Sequence, residues 1–153
     1  MRPIDAAYLA GLVDGDGSIF VSKRKDDKAI TRGQYRLFLS ISGQNEDLLL
    51  ELERRYGRSR HSWYTKRGVA ANISWEGPKA LRIIEEIRPY LIGKKKQAIL
   101  AGQFPCMGRG LPGIPIAGRR AIVELKEKIF YAMRKLNYQW SPGKTHRMER
   151  VHI

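Results

Sequence analysis

The sequence predicts an α+β protein. Its core has the order αββαββα (helix, two strands, helix, two strands, helix), and further helices follow toward the C-terminus. Residues 17–43 and 58–75 each alternate apolar and polar side chains on both sides of a polar turn, which is the pattern of a β-hairpin with one buried face. A segment with helical spacing and helix-end signals follows each hairpin. We therefore expect a four-stranded antiparallel sheet with helices on one face.

The first helix and the first hairpin occupy the N-terminal part of the chain. Pro3 and Asp5 are typical of a helix start, and they predict a helix through about residue 13. The segments GSIFVSKRK (17–25) and QYRLFLSISG (34–43) predict two strands, joined by a polar and turn-prone segment. In both strands the apolar residues fall on one face, so the opposite face is polar and basic.

The second helix and the second hairpin repeat this order. Asn45 is a good N-cap, acidic residues fill the first turn and Gly57 follows the last turn, so a helix is predicted over residues 45–57. The second hairpin has its turn near residues 66–68, and the segment over residues 77–91 predicts a helix that ends around Pro89 and closes the core.

The C-terminal part is predicted to be helical around a Pro- and Gly-rich connection. Its segments are a helix over 94–104, an irregular connection over 105–118, a helix over 119–136 and a basic tail over 141–153. The chain is expected to form one domain, residues 1–153, with the core over about 5–90 and the C-terminal helices and tail over about 94–153.

Composition points to a polyanionic partner. The chain has 29 Lys and Arg against 15 Asp and Glu, a formal net charge of +14. Phosphate neutralisation by such residues is the main source of nucleic-acid affinity. No long apolar run is present, so we expect no membrane partner, and the N-terminus lacks the apolar core of a signal peptide, so we expect an intracellular protein. A single cysteine, Cys106, excludes an intramolecular disulfide and a cysteine-based zinc site.

Two glycines in the first helix need a physical reason. Gly11 and Gly15 lie four residues apart and therefore share a helix face. A glycine inside a helix costs roughly 1 kcal/mol relative to alanine, and close approach of another helix would offset that cost. The other helix is either the same helix of a second copy, related by a twofold axis, or the third helix of the same chain. The residues alone leave both possibilities open.

Two carboxylates at the end of this helix suggest a metal. Asp14 and Asp16 stand where the helix dipole disfavours negative charge. A divalent cation with a preference for oxygen ligands, such as Mg²⁺, would remove that conflict. Paired carboxylates with Mg²⁺ beside a basic strand surface suggest metal-assisted phosphodiester hydrolysis. The alternative is that Asp14 caps a turn and Asp16 is a solvated turn residue.

The segment LAGLVDGDGS, residues 9–18, resembles the signature of the LAGLIDADG homing endonucleases. Val13 and Gly15 are conservative departures from the motif, and the αββαββα order extends the resemblance. A single copy of the motif resembles the homodimeric branch of the family. The matching motif residues are Leu9, Ala10, Gly11, Leu12, Asp14 and Asp16.

The resemblance implies an activity and its partners. It implies a sequence-specific, Mg²⁺-dependent endonuclease that cuts both strands of a long, near-palindromic DNA site as a homodimer and leaves cohesive ends. Mn²⁺ is expected to substitute for Mg²⁺, and Ca²⁺ to occupy the site without supporting cleavage. The alternative is an intron RNA-splicing maturase, with RNA as the partner, or a non-cleaving nucleic-acid-binding protein on the same scaffold.

The resemblance also implies roles for individual residues. Asp16 matches the metal-binding acid, with the Gly15 carbonyl as a further ligand, and Asp14 matches the acid that caps and braces the interface. Gln44 occupies the place of a polar residue that orders water in the active site; otherwise it is a helix-entry residue. Lys94 matches a lysine near the scissile phosphate; otherwise it belongs to a solvated charge run. The implied dimer interface comprises Leu9, Gly11, Leu12, Asp14 and Gly15.

The outward face of the sheet is the predicted base-reading surface. Arg suits guanine and Asn suits adenine in the major groove, while Phe can touch a thymine methyl group. A shift of one residue in the second hairpin would exchange its two faces. The predicted DNA-binding residues are Ser18, Phe20, Ser22, Arg24, Arg36, Phe38, Ser40, Arg60, Ser62, Tyr64, Asn72 and Ser74, with Lys95 and Lys96.

Overall fold

A computed structural model describes residues 1–23, 35–43, 45–57, 60–65, 69–106 and 113–139, without the side chains of residues 60–65, 69, 70 and 139. It contains five α-helices, a short 3-10 helix and four strands in that part of the chain. The elements are α1 (Pro3–Asp16), β1 (Gly17–Lys23), β2 (Tyr35–Gly43), α2 (Glu46–Tyr56), β3 (Arg60–Thr65), β4 (Val69–Glu76), α3 (Gly77–Ile87), the 3-10 helix (Arg88–Tyr90), α4 (Lys95–Gly102) and α5 (Ile116–Gln139). The predicted turns over 26–33 and 66–68 and the tail over 141–153 lie outside the described residues.

The four strands form one antiparallel sheet in the order β1-β2-β4-β3. The register sets Ile19 opposite Leu39, and Leu39 opposite Trp75. These three side chains are at most 1% exposed. Together with the helices, this order confirms the predicted αββαββα core and the α+β fold class.

The sheet has one buried face and one outer face. Ile73 and Trp75 of β4 are buried, whereas Asn72 and Ser74 are half-buried on the other side. The predicted facing of β4 is therefore confirmed, since a shift of one residue would have turned Trp75 to solvent. The outer face, as far as its side chains are described, comprises Ser18, Phe20, Ser22, Arg36, Phe38, Ser40, Ser42, Asn72, Ser74 and Glu76.

Helices α1, α2 and α3 cover the buried face. Asn45 caps α2 as predicted, because its side-chain oxygen accepts a hydrogen bond from the Leu48 amide at 3.0 Å. Gly57 ends α2 at φ +84°, and its carbonyl accepts a hydrogen bond from Trp75 Nε1 at 2.8 Å. The end of α2 is thereby tied to the sheet, with Tyr56 packed edge-on against Trp75.

Several helix boundaries differ from the sequence prediction. Helix α1 continues to Asp16 because the Gly17 amide still bonds the Val13 carbonyl. Helix α4 is shorter than predicted and spans Lys95–Gly102, whereas α3 ends at Ile87, just before the 3-10 turn that contains Pro89, close to its predicted end. Helix α5 is longer than predicted and spans Ile116–Gln139.

Helix α5 is joined to the first two strands by side-chain hydrogen bonds. Asn137 Nδ2 donates to the Ile19 carbonyl of β1 at 3.0 Å, and the Tyr35 hydroxyl of β2 donates to Glu127 at 2.6 Å. The Ile19 carbonyl, on an edge strand, is thereby satisfied within the chain. Among the described residues, no helix has the length and hydropathy that a membrane crossing requires.

Candidate active site and nucleic-acid interface

The C-terminal end of α1 is joined to the entry of α4 through Asp14. Its two carboxylate oxygens accept hydrogen bonds from the backbone amides of Ile92, at 2.7 Å, and Lys94, at 2.9 Å. These amides lie in the segment that leads into α4, where a carboxylate satisfies donors that a helix start leaves unpaired. Asp14 therefore acts as a cap within its own chain.

The side chain of Lys94 also contacts Asp14. Its ammonium group donates to the Asp14 carbonyl at 2.7 Å, and the residue is only 7% exposed. Burial lowers the pKa of Lys94, while the negative charges of Asp14 and Asp16 act in the opposite direction. The predicted phosphate-facing lysine is thus turned inward here, where it satisfies a carbonyl at the end of α1.

Asp16 is placed differently from Asp14. It is exposed, and its carboxylate makes no hydrogen bond or ion pair with the described residues. Gly15 beside it is also exposed, and no atom that the structure describes outside the adjoining turns of α1 lies within 4 Å of the position that a Cβ would take there. The end of α1 therefore presents an available carboxylate and open backbone, the oxygen donors that a hard divalent cation prefers.

One chain supplies few ligands for such a cation. In the described ranges no group of three or more His, Cys, Asp or Glu could hold a metal ion. Asp16 and the Gly15 carbonyl fit a hard cation by their chemistry, but Mg²⁺ takes six oxygen ligands. The remaining ligands have to come from water, from a phosphate or from a second chain.

One face of α1 is open and apolar. Ile4 is 73% exposed and Tyr8 is 50% exposed, and Gly11 and Gly15 continue the same face at helical spacing. Apart from the adjoining residues of α1 itself, no atom of the described residues lies within 4 Å of a Cβ built at either glycine. The alternative in which these glycines pack against the third helix of the same chain is therefore wrong.

One motif residue predicted for a dimer interface, Leu9, faces the core instead. Leu9 is fully buried, so its side chain belongs to the core and offers no surface to a second chain. The reason is helical geometry: residues 9 and 13 lie on the face of α1 opposite its two open glycines. Leu12 is half-buried: it packs against the core and also stands one helical turn after the exposed Tyr8, so its place in a dimer interface stays a prediction.

Neighbouring side chains contact one another on the outer face of the sheet. Phe20 and Phe38 stack with ring centroids 5.2 Å apart, and Asn72 Nδ2 donates to the Ser42 hydroxyl at 2.7 Å. Ser40, a predicted base-reading residue, is only 8% exposed, so it offers little surface to a ligand. Ser42 lies on this face, as the alternation of β2 predicts, although it is not among the predicted DNA-binding residues.

An ion pair on the outer face was also missed. Arg36 Nη1 lies 3.2 Å from Glu76 Oε1 and 3.3 Å from Oε2. Glu76 follows Asn72 and Ser74 in the alternation of β4, and this was the signal that could have placed it on the face.

Several other predicted residues are placed only in part. Lys95 and Lys96 are exposed at the start of α4. Arg24 and Gln44 lie outside the described residues. Arg60, Ser62 and Tyr64 belong to β3, but their side chains are outside the described part of the structure.

The family model for LAGLIDADG endonucleases matches residues 9–102 of this sequence. The chain belongs to the LAGLIDADG endonuclease family. This confirms the resemblance found in the sequence, and the predicted class of activity, a nuclease, is that of the family. No curated protein sequence matches the chain significantly.

Solved structures of LAGLIDADG homing endonucleases share the fold. The homing endonuclease I-CvuI, in complex with its target and Ca²⁺, is 20% identical with a TM-score of 0.69, covering 93% of this chain and 85% of its own. The archaeal intron-encoded I-Vdi141I, complexed with DNA, is 17% identical with a TM-score of 0.57, covering 90% and 99%. The meganuclease I-SmaMI, bound to DNA, is 20% identical with a TM-score of 0.59, covering 92% and 46%.

The LAGLIDADG motif of this chain divides between two sides of one helix. Ala10 and Val13 fill the core, and Asp14 caps the neighbouring segment. Gly11 and Asp16 are left exposed. The motif therefore combines a structural side, which anchors α1 on the sheet, with an open side that ends in a carboxylate.

Proposed function

We propose that this chain is a sequence-specific DNA endonuclease that acts as a homodimer. It hydrolyses one phosphodiester bond in each strand of a long, near-palindromic site and leaves cohesive ends. In this proposal the whole chain, residues 1–153, acts as one homing-endonuclease domain. The observation that carries the proposal is the exposed carboxylate of Asp16 at the end of an open, glycine-bearing helix face.

The open face of α1 supports a dimer. Exposed Ile4 and Tyr8 lie on the same face as the two glycines, which leave room for a second backbone. A twofold axis through this face would place the two α1 helices side by side, with Asp14 braced beside the interface. It would also bring Asp16 and Gly15 of both copies to the same end, so that two chains share the ligands that one chain lacks.

The residues at that end fit Mg²⁺. Asp16 would hold the cation with its carboxylate and Gly15 with its carbonyl, with Mn²⁺ as a substitute and Ca²⁺ as an occupant that does not support cleavage. A bound Mg²⁺ supplies Lewis-acid polarisation of a phosphoryl oxygen. The chain itself positions Asp16 by holding the preceding turn through Asp14 and Lys94.

Lys94 and Gln44 stay in the proposal as residues that serve the reacting phosphate. Lys94 contacts the carbonyl of Asp14, the residue directly before the proposed metal ligands Gly15 and Asp16. Its present contact with the Asp14 carbonyl makes its first role the positioning of α1. Gln44 follows β2 directly in the sequence.

The outer face of the sheet is the proposed DNA-binding surface. It carries hydroxyls, an amide, an arginine and an aromatic pair, which are the groups that read base edges in the major groove. The net charge of +14 supplies phosphate affinity, with exposed Lys95 and Lys96 as phosphate contacts. I-CvuI, I-Vdi141I and I-SmaMI, which share this fold, were each solved with DNA.

A cleavage experiment with a randomised duplex library tests the proposal. The protein and its Asp16→Asn variant are incubated with the library and Mg²⁺, and the ends produced are sequenced. We expect defined, near-palindromic cleavage by the wild type, and a rate lowered by about 100-fold or more in the variant, since one charged group at the reaction centre is removed. The matched control is Asp47→Asn, which removes an exposed acid of α2 outside the motif.

The outcomes separate the alternatives. Cleavage by Asp16→Asn comparable to wild type would overturn the assignment of this carboxylate. Specific capture of duplex DNA or of RNA without any cut ends would instead favour the non-cleaving or maturase function.

A further inference from the structure

Glu76 is an unexpected residue on a surface proposed to bind DNA. It is the only acidic residue in the four described strands, and it lies on their outer face. An acid there opposes binding to phosphates, because like charges repel. Its presence in a strongly basic chain therefore requires a local reason.

The contact of Glu76 with Arg36 provides that reason. One guanidinium nitrogen, Nη1, lies 3.2 Å and 3.3 Å from the two carboxylate oxygens. The two side chains come from β2 and β4 and are 32% and 30% exposed. A carboxylate in this position restricts the rotamers of a long side chain that would otherwise be mobile.

Helix capping does not explain the carboxylate. Glu76 occupies the N-cap position of α3, where an acidic side chain commonly accepts a hydrogen bond from a free amide. Its side chain makes no capping hydrogen bond. It is directed across the sheet toward Arg36 instead.

The ion pair leaves the other side of the guanidinium available. Among the described residues, Arg36 Nε and Nη2 donate to no acceptor. Arginine recognises guanine with two donors directed at O6 and N7, and this pair of nitrogens has that geometry. The carboxylate also offsets the charge of Arg36, which weakens its attraction to phosphate and favours contact with a base.

The neighbouring residues suit base contact. Phe38 lies opposite Glu76 on one side and opposite Phe20 on the other, and the two rings stack. This gives Arg36 an apolar neighbour on the same face, suited to the methyl group of a thymine.

We propose that Glu76 is a positioning residue for sequence recognition, which holds Arg36 so that its Nε and Nη2 atoms read one guanine in each half-site. The inference rests on the proposed function, because it assumes that the outer face binds DNA. It adds a specificity residue of opposite charge to that face.

The test is selection of bound duplexes from a randomised library, in Ca²⁺ and without cleavage, followed by sequencing. The variants are Arg36→Ala, Glu76→Ala and Glu76→Gln, and the control is Glu51→Gln, which removes an acid paired with two arginines on α2. We expect Arg36→Ala to lose guanine preference at one position per half-site by about tenfold or more. Glu76→Ala should lower the preference at the same position while keeping or raising affinity for non-specific DNA, and Glu76→Gln should lie between.

Several outcomes of this experiment would contradict the proposal. An unchanged base profile in Glu76→Ala, with only a lower melting temperature, would make the pair a structural contact between strands. A salt-dependence slope lowered by about one in Arg36→Ala, with an unchanged profile, would make Arg36 a phosphate contact. If the wild type selects no sequence at all, the proposed function fails; if it selects one and the variants keep it, only this inference fails.

Discussion

Two hydrogen bonds join Asp14 and Lys94, which are 80 positions apart in the sequence. The Lys94 amide donates to the Asp14 carboxylate at 2.9 Å, and the Lys94 ammonium donates to the Asp14 carbonyl at 2.7 Å. Together these bonds attach the end of the motif helix α1 to the start of α4. The position of the exposed Asp16, two residues further on, depends on this attachment.

Loss of the Asp14 carboxylate should destabilise the protein. In Asp14→Ala two backbone amides lose a charged acceptor, and such bonds contribute roughly 1.5–3 kcal/mol each before solvent screening. Because the site is partly exposed, we expect the free energy of unfolding to fall by about 2 kcal/mol in denaturant titrations. Asp47→Asn is the matched acid control. Unchanged stability in Asp14→Ala would show that these bonds contribute nothing net.

Lys94 should make stability depend on pH in the alkaline range. Burial lowers the pKa of Lys94 in the folded chain below its usual value of 10.5, so between the two values the unfolded chain binds more protons. The free energy of unfolding therefore gains a contribution that rises with pH across that window. Lys94→Met should lack this contribution. Denaturant titrations from pH 8 to 11 measure it as the difference between the two proteins, and parallel profiles would contradict it.

Substitutions of Gly11 should affect the stability of the chain and its dimerisation in different ways. A Cβ at Gly11 would meet no atom within 4 Å among the described residues beyond its own helix, so Gly11→Ala should stabilise the isolated chain by about 1 kcal/mol through helix propensity. Gly11→Leu should also fold, but its side chain would prevent close approach of a second α1. Sedimentation equilibrium should show a dimer for the wild type and a monomer for Gly11→Leu. A variant that sediments as a wild-type dimer would remove the glycine face from the interface.

A side chain at position 17 should lower the stability of the protein. A Cβ there would lie 2.6 Å from Val13 Cα and 2.8 Å from the Val13 carbonyl, both backbone atoms. Gly17→Ala must therefore displace the junction of α1 and β1, at a cost of about 1–3 kcal/mol in unfolding free energy. The control is Gly15→Ala, measured at low protein concentration, because its Cβ would contact no described residue outside α1 within 4 Å. Equal stabilities of the two variants would contradict the close contact.

The sequence by itself determined the local structure of this protein. Alternation in β1, β2 and β4 defined the sheet and its two faces, and Asn45 and Gly57 marked the ends of α2, because these signals act over a few residues. The motif over residues 9–18 pointed to the family, since its residue types stand at fixed spacing. The sequence could not decide between two partners for the glycine face.

Only the tertiary structure decided the contacts between distant segments. It turned Leu9 into the core and left Gly11 open, it set Asp14 against Lys94, and it paired Arg36 with Glu76 across 40 residues. Periodicity shows which side of an element a residue is on, but not which residue of another element it meets. Those pairings depend on how strands and helices pack, and packing is a property of the whole fold.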